Sequence, residues 1–132
     1  MRRSIILLVL ASLLALTQPA AAGPRSLDIP KHMRFGKVAV GSVKEVFVTL
    51  TNVSDGQVRV TSIGVSSDDG GFQLDFDAEG CVGTTLEPGQ SCSYGILFPP
   101  GTSGRLTGQS DLVFLSPDGG GFALIKLSGF GT

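Results

Sequence analysis

The chain has 132 residues, a formal charge of −1, 42% hydrophobic residues, nineteen glycines, two cysteines, one histidine and no tryptophan. Its ten Lys and Arg form no stripe and do not outnumber the eleven Asp and Glu, which argues against a nucleic-acid binder and against an anionic membrane surface as target. The glycines cluster without a fixed period, so neither a collagen nor a repeat array fits.

Met1-Arg2-Arg3 is a positive start, residues 5–16 are apolar except for Ser12, and Ala20-Ala21-Ala22 offers small side chains after Pro19. This is the layout of a cleavable signal peptide. Its apolar run falls short of the roughly 20 residues a permanent membrane helix needs. The expected organisation is a signal peptide at 1–22 and one domain at 23–132, secreted or periplasmic, with no stable membrane insertion after cleavage. Without Arg2 and Arg3 the remaining eight Lys and Arg stand against eleven Asp and Glu, a charge of −3.

The first strand-like stretch is an edge strand around Leu27 and Ile29, because Pro30 removes a donor. Phe35, Val38 and Val40 lead to a turn at Gly41-Ser42. Residues 43–50 alternate, with Val46, Val48 and Leu50 on one face and Phe47 and Thr49 on the other. Asn52-Val53-Ser54-Asp55-Gly56 reads as a turn, Asp-Gly being suited to a hairpin. Val58, Val60 and Ser62 share one face of the next strand, which ends near Val65. Phe72, Leu74 and Phe76 then recur at period two opposite Gln73, Asp75 and Asp77, as in a sheet with one wet face.

Residues 81–86 read as loop and Glu87-Pro88-Gly89-Gln90 as a tight turn before Cys92, Tyr94, Ile96 and Phe98 alternate. Pro99-Pro100-Gly101 stops that strand. Residues 106–115 form another, a glycine-rich connection at 116–121 follows, and residues 122–127 close the domain with Gly129-Phe130-Gly131 as a tail. No helical stripe occurs. The predicted fold is all-β, two packed antiparallel sheets of seven or eight strands; a small closed barrel is the competing architecture.

Cys81 and Cys92 flank the turn at 87–90. Two cysteines in an oxidising compartment allow one intramolecular pairing, and the pair lacks the two-residue spacing at a helix start of a redox dithiol. A disulfide between Cys81 and Cys92 is therefore expected, fastening a polar loop to the sandwich.

Catalytic chemistry finds little support. His32 is the single histidine and lies far from any nucleophile-elbow serine, and no G-x-S-x-G run exists. Gly119-Gly120-Gly121 precedes a strand rather than a helix, unlike a phosphate loop. Asp68, Asp69, Asp75, Asp77 and Glu79 lack calcium-loop spacing and read as a solvated face. No catalytic, cofactor-binding or metal-binding residue is assigned.

Ordered motifs over residues 27–131 do carry a family resemblance. Phe35-Gly36-Lys37-Val38-Ala39-Val40-Gly41-Ser42, Val48-Thr49-Leu50-Thr51-Asn52, Thr85-Leu86-Glu87-Pro88-Gly89-Gln90-Ser91-Cys92, Phe98-Pro99-Pro100 and Leu127-Ser128-Gly129-Phe130-Gly131 together resemble bacterial choice-of-anchor D domains. They also resemble the related ASPM–SPD-2–Hydin domains, akin to the major sperm protein domain, and this resemblance implies that the all-β fold is an immunoglobulin-like antiparallel β-sandwich of seven or eight strands with one disulfide. The resemblance implies interaction or structural support and no catalytic residue. The expected function is an exported, non-enzymatic module for protein interaction or envelope structure, its partner another envelope or extracellular protein. An exposed sheet edge and the loop at 77–90 are the expected contact surfaces. A calcium-, carbohydrate- or small-ligand-binding module, using the acidic residues named above, is the alternative.

Overall fold

The computed structural model describes residues 26–68 and 71–132. The expected signal peptide at 1–22 and Asp69 lie outside them. Nine strands follow in order: β1 Leu27–Asp28, β2 His32–Val38, β3 Lys44–Asn52, β4 Val58–Ser67, β5 Gln73–Glu79, β6 Thr85–Leu86, β7 Ser91–Phe98, β8 Gly104–Ser116 and β9 Gly119–Gly131. Four form one sheet in the order β1-β3-β7-β5, and five form the other in the order β2-β9-β8-β4-β6. This is the predicted immunoglobulin-like sandwich. Its neighbours are antiparallel except β2 and β9, which run parallel. The strand beyond the expected seven or eight is β6, two residues inside the stretch read as loop.

Alternation builds the core. Val46, Val48 and Leu50 of β3 stand opposite Ile96, Tyr94 and Cys92 of β7, all directed between the sheets. Leu106 and Leu112 of β8 and Ile125 and Leu127 of β9 face them from the other sheet. At one end Phe35, Phe72 and Phe98 form an aromatic cluster, with ring centroids 4.6 to 5.6 Å apart. Gly129 makes this cluster possible, because a Cβ there would stand 2.5 Å from the Phe98 ring. Burial pushes the Tyr94 phenol above its ordinary pKa. Its hydroxyl lies 2.8 Å from Ser110 Oγ, which donates in turn to the Gly64 carbonyl. A buried phenol needs such a partner.

Five details correct the sequence reading. Asp55-Gly56 closes no hairpin: β3 and β4 belong to different sheets, and Gly56 does not take a positive φ. A bulge between Val60 and Ser62 reverses the alternation, so Ile63 and Val65 face the core and Ser62 is exposed. Phe76 is 81% exposed, because the β5–β7 register breaks between Asp75 and Glu79. Gly119-Gly120-Gly121 is not a connection but the start of β9, where a Cβ at Gly121 would collide with the Phe114 ring. Residues 129–131 are no tail either, since β9 runs through Gly131 between β2 and β8.

Candidate functional site

The residues singled out in the sequence mostly hold the fold. Cys81 and Cys92 form the expected disulfide, with Cα atoms 5.3 Å apart and Cys81 fully buried. Around it, Glu79 Oε2 accepts the backbone N–H of Cys81 and of Val82, each at 2.7 Å. The loop at 77–90 thus crosses from β5 in one sheet to β6 in the other and is tied at both ends. It is a built wall of the sandwich, with Val82 as its exposed apolar side chain.

The acidic residues do not converge. Asp75 accepts the N–H of Asp77 at 3.1 Å, Glu79 is committed to the loop, and Asp68 lies across the molecule in a groove with His32. Among the described residues no group of three His, Cys, Asp or Glu is placed to hold a metal ion. Asp75 has another neighbour, Glu45 of β3. A hydrogen bond between the two carboxyls raises the Glu45 pKa, with burial and charge repulsion adding to it.

His32 lies 3.5 Å from Ser128 Oγ, in an open groove of about 410 Å³ across the outer face of the five-stranded sheet. Arg105, Lys126, Thr107 and Gln109 share the groove, and Asp68 is its one carboxylate. One histidine beside two fixed cations and a lone acid is no acid–base pair for catalysis. It is a polar, basic surface.

The remainder of that outer face is the feature sequence reasoning missed. Val113 of β8 stands opposite Phe122 of β9, with Leu115 and Leu124 one step along the same rows. All four point away from the core, Phe122 being 64% and Leu115 50% exposed. Side chains at such spacing form one apolar patch. Isolated exposed apolar residues need no account, but a contiguous patch marks a contact surface. Beyond it on the same face stand Arg34 and Lys37 of β2, Arg105 of β8, Lys126 of β9 and Arg59 of β4. These five are half of the ten Lys and Arg in the chain. That residues 106–115 and 122–127 are strands was legible in the sequence, whereas the pairing that joins Val113 to Phe122 was not.

Two sheets, a single shared core and a structural disulfide define an immunoglobulin-like β-sandwich module. The family model described as abnormal spindle-like microcephaly-associated, ASPM-SPD-2-Hydin (ASH) matches residues 27–120, and the chain belongs to this family of non-catalytic modules. No curated protein matches the sequence significantly. Among solved structures, the Vibrio cholerae VesB protease is similar at TM-score 0.65 and 20% identity, over 80% of this chain and 32% of that one. The PapD-like domain 7 of human CEP192 is similar at TM-score 0.63 and 15% identity, over 89% of this chain and 95% of that domain. The secreted V. cholerae protease VesC follows at TM-score 0.57 and 16% identity, over 79% and 23%. This chain spans about a third of VesB or less of VesC, so the likeness is to a domain within larger enzymes and is one of fold.

Proposed function

We propose that this chain is an exported, non-catalytic docking module of the choice-of-anchor D group of ASH domains, working in the periplasm or outside the cell. The observation that carries the reading is the outer face of β8 and β9, where Val113, Leu115, Phe122 and Leu124 lie together in solvent. A sheet face that serves only to be wet alternates apolar-in with polar-out. This one departs from that pattern where the two longest strands meet. Export is supported by the signal-peptide layout at 1–22 and by the Cys81–Cys92 bridge, since structural disulfides persist in oxidising compartments.

Crosslinked pull-down from the native envelope and medium, with wild type and Phe122→Asp side by side, tests the reading. Phe122 is mostly exposed, so the variant is expected to melt within a few degrees of wild type while losing the specifically captured protein. Equal capture by a folded Phe122→Asp would refute docking through this face.

A further inference from the structure

The two outer faces of the sandwich carry opposite charge. On the four-stranded sheet the outward positions include Asp28 of β1, Glu45 and Phe47 of β3, Gly95 and Leu97 of β7, and Gln73 and Asp75 of β5. Three of these are carboxylates and none is a Lys or Arg. Glu45 lies across the bare backbone of Gly95 toward Asp75, occupying the space a Cβ would fill. Two carboxyls drawn together without a cation are a group that an incoming cation would stabilise. The five-stranded face has the reverse balance: Arg34, Lys37, Arg59, Arg105 and Lys126 share its outward rows with Asp111, and Asp68 lines the groove beside Arg105 and Lys126, five cations against two carboxylates. Each face also has apolar side chains among its charges, Phe47 on the acidic one and the row around Phe122 on the basic one.

We infer that the basic face takes the acidic face of a second copy of this chain. In this contact Glu45 and Asp75 of one copy meet Arg105 and Lys126 of the next, and Phe47 packs on the apolar row. The inference rests on the docking reading above and names the partner. Because the contact joins two different surfaces, it does not close as a two-fold dimer: a pair leaves one acidic and one basic face open at its two ends, and stacking propagates. Its charges stand in solvent, so the contact is weak and steeply dependent on salt. The net charge of −3 on the mature chain conceals this complementarity.

Sedimentation velocity on the exported chain, from dilute solution to about 1 mM protein, tests it in about 0.02 M and about 0.5 M salt. The weight-average sedimentation coefficient should rise with concentration in low salt and return to the monomer value in high salt. Arg105→Glu with Lys126→Glu leaves two acidic faces, and Glu45→Lys with Asp75→Lys leaves two basic ones. Each double variant is expected to stay monomeric alone, and an equal mixture of the two to associate again. Arg105→Gln with Lys126→Gln, a milder pair, should weaken association alone and, because its acidic face is untouched, restore it in an equal mixture with the Glu45→Lys, Asp75→Lys variant; thermal melts establish that every variant is folded.

A wild type that stays monomeric in low salt overturns the inference, as do variants that assemble like wild type or a mixture that does not. Binding to phosphatidylglycerol vesicles without self-association assigns the basic face to a membrane instead and overturns it too. If self-association fails while Phe122→Asp still abolishes capture of a different protein, the docking reading stands and only the second copy is ruled out. If both fail, both readings fall.

Discussion

Asn52 has no exposed surface, yet it is a polar side chain at the end of β3. Its Nδ2 donates to the carbonyls of Gly56 and Leu86, each at 2.8 Å, and its Oδ1 accepts from the N–H and the hydroxyl of Ser54. The same residue therefore ends a strand, shapes the crossover to the other sheet and clamps β6. Replacing Asn52 by Ala removes the side-chain donor from the buried Leu86 carbonyl and leaves the half-buried Gly56 carbonyl to Ser54 Oγ, and urea denaturation should show a loss of about 2 kcal/mol. A loss under about 1 kcal/mol would mean that water replaces the side chain. The strand-ending half of this role was legible, because an Asn before Val-Ser-Asp-Gly bonds locally. The bond to Leu86 was not, since 34 residues separate the partners. Phe76 fails in the opposite sense: its spacing from Phe72 and Leu74 points inward, but a strand that loses its register no longer obeys period two.

At the scale of elements, the pairing of short strands depends on covalent help. β6 contributes two residues, Thr85 and Leu86, each paired to β4, and a two-residue ladder is no stable element by itself. What holds it is the Cys81–Cys92 bridge, with the Asn52 side chain and the Glu79 carboxylate on either side. Closing the eleven-residue separation should contribute about 3 kcal/mol through the unfolded chain. A Cys81→Ala and Cys92→Ala variant is expected to lower the denaturation midpoint accordingly. It should also raise amide exchange over residues 79–90 while leaving β3, β7, β8 and β9 protected. Unchanged exchange in that loop would show that hydrogen bonds alone secure it. The cysteine pairing followed from count and compartment, but β6 did not, because a strand of two residues has no periodicity to read. The long β8–β9 hairpin was shortened in the sequence reading for a related reason. Gly121 and Gly129 look like breaks until the rings of Phe114 and Phe98, which occupy the space beside them, are in place.

Over the whole molecule, two properties emerge that no single strand contains. One is the separation of charge between the faces, which arises when residues as distant as Arg34, Arg105 and Lys126 become neighbours through the β2–β9–β8 order; a sequence with balanced charge gives no sign of it. The other is that both sheets depend on one core. Tyr94 of the four-stranded sheet reaches Ser110 of the five-stranded one, and Ser110 holds the Gly64 carbonyl in β4. With one tyrosine and no tryptophan in the chain, intrinsic emission reports on this inter-sheet link alone, while far-UV circular dichroism reports on all the strands. Neither sheet can keep its apolar face buried without the other, so the domain should unfold as a single cooperative unit. Tyrosine emission and circular dichroism are therefore expected to give coincident denaturant transitions, before and after removal of the disulfide, with a shared shift in midpoint. An emission change that precedes the loss of strand signal would show the sheets parting before they melt, and would divide the sandwich into two units that this core makes one.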